Sequence, residues 1–84
     1  MSTKLLMDTL RLADGGRVEC EIMAPDGTIV HGVIEQSFFQ EFLTAPNEEI
    51  KPEKQGRIVK DNLAYLESVS DRLWREGNRE LVIR

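Results

Sequence analysis

The sequence has little of what small domains use to reinforce a fold covalently or through a metal. It contains one cysteine, Cys20, and one histidine, His31, in 84 residues. A single cysteine excludes an internal disulfide, and no Cys/His group has the spacing of a zinc site. A chain of this size has a small core, so its fold must rest on packed side chains, and self-association would add stability. We predict a single domain over residues 1–84 in a reducing compartment, without a metal or a cofactor.

The sequence also lacks long apolar runs and a surplus of positive charge. No apolar run approaches the roughly 20 residues of a membrane-spanning helix, and the stretch after Lys4 is too short for a signal peptide. Fifteen acidic against eleven basic residues give a formal net charge of −4. Nucleic-acid-binding domains normally carry a basic surplus on one face, so this balance disfavours nucleic acid as a partner. We therefore expect an acidic, cytoplasmic protein that does not contact a membrane.

The segment Arg17–Met23 alternates in polarity as a half-buried strand does. Val18, Cys20 and Ile22 are apolar, and the residues between them are charged. The alternation places Cys20 on the buried side, where cysteine behaves as a small hydrophobic residue rather than as a nucleophile.

Two glycine-containing turns flank this strand and predict hairpins. They are Asp14–Gly16 and Pro25–Gly27, with residue types that tight turns require. The adjoining strands are then Thr9–Ala13 and Thr28–Ile34, and we expect a bulge at Gly32. Residues 1–8 fit a strand continuation, a short helical turn or disorder equally well.

The second half reads as two helices and a last strand. Ser37 has the features of a helix N-cap, with Gln40 at the spacing of a capping box. A longer helix begins near Pro52 and ends at Gly77, and Glu80–Ile83 forms the last strand. The apolar face of the longer helix recurs every three or four positions, at Val59, Leu63, Leu66, Val69 and Leu73.

This order of elements predicts an α+β fold. We expect a three-stranded antiparallel meander, a short and a long helix packed on one face, and a C-terminal strand that returns to the sheet.

The part of the chain from residue 18 to residue 84 resembles a known family. Its segments IEQSFFQEFL and RIVKDNLAYLESVSDRLWREG are similar to those of the small bacterial proteins grouped as domain of unknown function 1488. The family pattern corresponds here to Val59, Asn62, Leu66, Ser70, Trp74 and Gly77. The family often has an aromatic residue where Val59 stands and an arginine where Leu63 stands. The resemblance implies this fold and a bacterial origin, and it implies no activity.

Four residues are candidates for a binding site. Asn62 falls on the apolar helix face, where its amide must bond the sheet or a loop, or else contact a ligand. Trp74, near the helix end, either closes the core or anchors a partner. His31 packs or faces water, or acts as a general base, and Arg72 belongs to a surface of mixed charge.

No residue pattern defines a catalytic site. The Asp-Gly pairs lack the strand–loop–helix setting of a phosphate-binding loop, and the carboxylates form no acid/base pair or metal cage. We therefore expect a non-catalytic binding or regulatory module that acts through protein–protein contacts or self-association. The alternative is a small-ligand binder or small enzyme with a pocket between the long helix and the sheet, around Asn62 and His31.

Overall fold

Strands with alternating polarity form a four-stranded sheet, and amphipathic helices pack on one face of it. The structure is a computed structural model, and it describes residues 3–42 and 51–84. The elements in chain order are β1 (Lys4–Leu12), β2 (Val18–Met23), β3 (Ile29–Ile34), α1 (Gln36–Gln40), α2 (Pro52–Asp61), α3 (Leu63–Arg75) and β4 (Glu80–Ile83). Within these residues, no helix combines the length and the apolarity needed to cross a bilayer.

The sheet has the order β1-β2-β3-β4, which confirms the meander and the returning strand. The pairs β1–β2 and β2–β3 are antiparallel. By contrast, β4 runs parallel to β3, because the helices between them carry the chain back to the end of the sheet at which β3 begins. The fold is α+β, as predicted.

Of the alternatives left open for the residues before Thr9, the strand continuation is the one observed from Lys4 onwards, and β1 ends at Leu12 rather than at Ala13. Its register with β2 shifts between Leu6 and Arg11. The Thr9 hydroxyl donates to the Leu6 carbonyl at 2.6 Å and accepts the Glu21 N–H at 2.8 Å. This side chain thus substitutes for a ladder bond where the strand is irregular.

Both predicted turns are present, and Gly27, for example, has a φ of +90°.

The core lies between the sheet and the helices. Cys20 and Ile22 of β2 are fully buried, as the alternation predicted. Helices α2 and α3 contribute Val59 and Leu66, which are fully buried, and Leu63 packs against them from a partly buried position. The predicted apolar helix face therefore does cover the sheet.

The expected bulge at Gly32 is wrong. Gly32 pairs in regular register with Cys20 on one side and Leu81 on the other. A Cβ built at this position would lie 2.5 Å from Ile22 Cδ1 and 3.1 Å from Cys20 Sγ. Glycine is required here because the neighbouring side chains occupy the space above the strand.

The capping-box spacing predicted Ser37 as the N-cap of α1, and this prediction is wrong. The N-cap is Glu35, and Ser37 lies within the first turn. The Glu35 N–H donates to the Ile83 carbonyl at 2.8 Å. This bond to β4 fixes where the extended chain ends, so tertiary structure rather than the local capping pattern sets the start of the helix.

The predicted long helix is two helices, α2 and α3, which meet at Asn62. Pro52 occupies the first turn of α2, and Gly77 follows the end of α3 with a φ of +99°, as expected for a helix terminator. The Gly77 N–H donates to the Trp74 carbonyl at 3.0 Å. The loop predicted between the two helices runs from Thr44 to Lys51, and its residues 44–50 lie outside the described residues, as does Leu43.

Candidate functional site

Asn62 bonds its own helix, and its side chain has no hydrogen bond to the sheet or to a loop among the described residues. Its side-chain nitrogen donates to the Ile58 carbonyl at 2.8 Å, and its backbone N–H donates to the same carbonyl at 3.1 Å. The backbone of Asn62 has a φ of −115° and a ψ of 21°, outside the helical region. The side chain thus satisfies a carbonyl in the last turn of α2, a local structural role.

His31 lies on the sheet face that points away from the helices. Its neighbours Val30 and Gly32 are buried on the core face, and side chains alternate along a strand. His31 Nε2 is 2.9 Å from Glu19 Oε1, and Nδ1 is 3.6 Å from Glu80 Oε2. The imidazole therefore joins β2, β3 and β4 through two carboxylates.

Asn62 and His31 are not brought together. Asn62 lies on the helix side of the sheet and His31 on the other side, so the pocket expected around both of them is not formed. The described residues contain no group of three or more His, Cys, Asp or Glu side chains arranged to hold a metal ion.

Trp74 is a partly buried residue that packs against the core. The Arg79 guanidinium carbon lies 3.9 Å from the centre of the indole ring, a cation–π geometry. Arg79 also donates to the Trp74 carbonyl at 3.3 Å. The ring face is covered by Arg79, so Trp74 serves to close the end of α3 against the core.

Arg72 lies in a groove between α3 and β4. The volume of this groove is about 490 Å³, and its helix wall is formed by Tyr65, Val69, Arg72 and Leu73. Tyr65 is 55% exposed, and its ring is stacked on Phe38 with the centroids 6.2 Å apart. The strand wall comprises Glu80, Val82 and the following Arg84.

The groove runs beside a free strand edge. β4 is an outer strand of the sheet, so one side of its backbone has no strand neighbour among the described residues. The Ile83 carbonyl accepts the Glu35 N–H and therefore points towards β3. Because backbone groups alternate in direction along a strand, those of Glu80 and Val82 point into the groove, and the following Arg84 stands at the next position of the same alternation.

The opposite edge of the sheet differs, because α3 side chains already bond β1. The Leu5 N–H donates to Glu67 Oε2 at 2.9 Å. The Thr3 hydroxyl donates to Asp71 Oδ1, also at 2.9 Å, and this bond lowers the pKa of Asp71. These contacts cover the start of β1, and such cover is one way in which proteins protect an edge from pairing.

Cys20 has no exposed surface, and its burial raises the pKa of the thiol from 9.0 to about 11. The reactive thiolate is therefore scarce at neutral pH. This agrees with the sequence-based interpretation of Cys20 as a core residue.

A smaller cavity of about 140 Å³ lies between α2 and the first hairpin. Its walls are mostly apolar and include Leu10, Val18 and Val59, together with Gln55, which is only 4% exposed. Gln55 Nε2 donates to the Gly16 carbonyl at 3.1 Å, which fixes the orientation of the amide. Within residues 3–42 and 51–84, its buried Oε1 has no hydrogen-bond partner.

Sequence reasoning missed both Gln55 and the edge of β4. Gln55 stands four residues before Val59, a spacing that places it on the same buried helix face. Glu80 and Val82 alternate in the last strand with the following Arg84 at the next position of the same period, which places them on one face. Which edge of that strand would be free depends on long-range pairing, and no local pattern encodes it.

The chain was compared with protein-family models, curated proteins and solved structures, and no match was found.

Proposed function

We propose that this protein is a non-catalytic binding module that receives an extended segment of a protein partner along the free edge of β4. The observation that carries the proposal is the row of backbone groups at Glu80, Val82 and Arg84 that face the groove. Adding a strand to such an edge is a recurrent mode of peptide recognition, in which main-chain hydrogen bonds provide affinity.

The walls of the groove indicate the chemistry of the segment. On the helix side, Tyr65, Val69 and Leu73 provide apolar contacts for every second residue of an added strand. On the other face, Glu80 and Arg84 flank Val82 with charges of opposite sign. A segment with apolar residues towards α3, and with a basic and an acidic residue on its other face, complements both sides.

The resemblance to domain of unknown function 1488 favours a bacterial origin, and the single cysteine favours a cytoplasmic location. In that setting the module would bind or regulate a partner without chemistry of its own. The burial of Cys20 and the structural contacts of Asn62 and Trp74 support a non-catalytic function.

A displayed library of short random peptides, panned against the purified protein, tests the proposal without a known partner. The variant Val82→Pro removes an N–H that faces the groove, and it leaves the bonds to β3 intact. Val82→Thr retains that N–H and the branched shape, so it is the matched control. We expect enriched peptides to bind the parent and Val82→Thr, and to lose binding to Val82→Pro.

Chemical shifts in the complex provide the second readout. The amide signals of Glu80, Val82 and Arg84 should shift together on peptide binding. Peptides that bind Val82→Pro as well as they bind the parent, or that shift residues elsewhere, would contradict this function.

A small-ligand site is the second candidate, and one observation favours it. The cavity beside Gln55 has a volume of about 140 Å³, close to that of engineered cavities of about 150 Å³ that bind benzene. Gln55 lines this cavity, and its buried Oε1 has no hydrogen-bond partner among the described residues. A compact apolar molecule with one donor, such as a phenol, has the matching chemistry.

Titration with phenol and with benzene, followed by amide chemical shifts, tests this second candidate. Saturable shifts at Leu10, Val18 and Val59 are expected for phenol, and the preference over benzene should disappear in Gln55→Leu. Absence of saturable shifts with both probes would reject the ligand site.

A further inference from the structure

We infer that the segment paired with β4 is β4 of a second copy of this chain, antiparallel and related by a two-fold axis at Val82. This inference rests on the proposed function, because it names the occupant of the same edge. It follows from the direction of the backbone groups, from the charges on the exposed face and from the apolar wall of α3.

The backbone permits this pairing. The groups of Glu80, Val82 and Arg84 face the free edge, since those of Leu81 and Ile83 face β3. With the axis at Val82, Glu80 lies opposite Arg84 of the second copy, and Val82 lies opposite its own equivalent. These pairs join residues whose N–H and C=O groups point towards each other, and they alternate with the non-hydrogen-bonded pair of Leu81 and Ile83, as in any antiparallel ladder.

The charges select this register among its neighbours. Moving the axis by one residue places Glu80 or Arg84 opposite Val82 of the other copy and leaves the charges unmatched. With the axis at Val82, each Glu80 faces an Arg84 on the same side of the sheet, and this occurs twice by symmetry. The edge is therefore complementary to itself although the whole chain carries a net charge of −4.

The helix wall adds apolar contact on the other side. A two-fold axis perpendicular to the sheet keeps both sets of helices on one side of a continuous sheet. The two α3 helices then flank the junction with Tyr65, Val69 and Leu73, of which Tyr65 is 55% exposed in one copy. Pairing would cover this surface and remove an open edge from each copy.

The edge of β1 is a weaker candidate for the same role. The Leu5 N–H is already bonded by Glu67, and the register irregularity between Leu6 and Arg11 interrupts the edge. A second copy would have to displace the Glu67 carboxylate before it could pair there. The two edges thus differ in availability, and within residues 3–42 and 51–84 the outer side of β4 is the one without a strand or side chain bonded to its backbone.

Sedimentation equilibrium of the full chain from roughly 1 µM to 1 mM tests the inference, because short strands predict weak, concentration-dependent dimers. The single variants Glu80→Arg and Arg84→Glu each place like charges opposite each other. Each should weaken dimerisation by about tenfold or more. Glu76→Arg makes the same change in net charge as Glu80→Arg but outside the groove, and it should leave association unchanged.

The decisive measurement mixes the two charge variants. In the mixture, the arginine introduced at position 80 of one variant faces the glutamate introduced at position 84 of the other. The native Arg84 of the first then faces the native Glu80 of the second, so heterodimers should form with about the affinity of the parent. The double variant Glu80→Arg/Arg84→Glu should also recover homodimers. Glu80→Arg removes the contact between Glu80 and His31 as well, but Arg84→Glu leaves it intact, so equal effects of the two would assign the change to the interface.

The outcomes separate this inference from the proposed function. If the parent remains monomeric over the whole range but binds library peptides through Val82, the inference of a second copy is wrong and the proposed peptide binding at β4 is supported. Dimers that persist in Val82→Pro, or heterodimers no stronger than the single variants, would place the interface elsewhere and overturn the inference. If neither dimers nor peptide binding at this edge are observed, both the dimer and the proposed function are wrong.

Discussion

The side-chain nitrogen of Asn62 donates a hydrogen bond to the carbonyl oxygen of Ile58, one turn earlier, at 2.8 Å. The bond lies where α2 ends and α3 begins, so one amide both terminates a helix and supports the change in direction that follows. Side chains that compete for a backbone carbonyl in this way are a recognised cause of helix interruption.

Replacing Asn62 with leucine should therefore lower stability. The change removes one partly buried hydrogen bond, and we expect a loss of about 0.5–1.5 kcal/mol in the free energy of unfolding. Thermal melts beside the parent check this, with Ala64→Leu as a control that adds the same side chain at an exposed neighbouring position. A clearly higher melting temperature for Asn62→Leu would refute the structural role and direct attention to a ligand.

Leu66→Ala should be one of the most destabilising single changes. Leu66 has no exposed surface and lies at the centre of the contact between α3 and the sheet. Truncation leaves a cavity, and the expected loss is about 2–5 kcal/mol in denaturant unfolding. Leu12→Ala, at a 58% exposed leucine, should change stability by no more than about 0.5 kcal/mol. Similar effects of the two variants would contradict the assigned core.

The Cys20 thiol should react slowly with thiol reagents in the folded protein and rapidly after unfolding. Since its pKa is raised to about 11, the folded state keeps the proton that the unfolded state loses first. Stability should therefore be insensitive to this group below about pH 9 and should fall as the pH rises towards 11. In Cys20→Ala that alkaline component should be absent. Rapid stoichiometric labelling of the native protein would disprove the assignment.

Gly32→Ala should destabilise by overpacking. The added Cβ would lie 2.5 Å from Ile22 Cδ1, and strain of this kind typically amounts to about 1–3 kcal/mol. Ile22→Val removes the clashing Cδ1, so the double variant should lose less than the sum of the two single losses. A double-mutant cycle from denaturant melts measures this coupling, and strict additivity would show that the contact does not limit the site.

The sequence predicts those features whose determinants are local. The alternation of Val18, Cys20 and Ile22 is enough to identify a half-buried strand, and Gly77 is enough to mark the end of a helix. The helical period also places Asn62 on the correct side of the sheet, but it does not reveal the interruption of the helix there. The apolar period continues from Val59 to Leu66 across it, so the pattern alone shows no break.

Features that depend on distant contacts could not be predicted from the sequence. The start of α1 is set by the bond between Glu35 and Ile83, and the need for glycine at position 32 arises from Ile22 on a neighbouring strand. The separation of His31 from Asn62 depends on which face of the sheet receives the helices. The β4 edge becomes a candidate only once the pairing of β4 with β3 is known.

The parallel pairing of β3 with β4 also has a kinetic consequence. Short turns join β1, β2 and β3, so the contacts of this meander form at a low cost in loop-closure entropy. β4 can pair with β3 only after the chain has crossed over through α1, α2 and α3, so its docking is much less local than the formation of the meander. We therefore expect the interactions of β4 to be absent from the folding transition state and to act mainly by slowing unfolding.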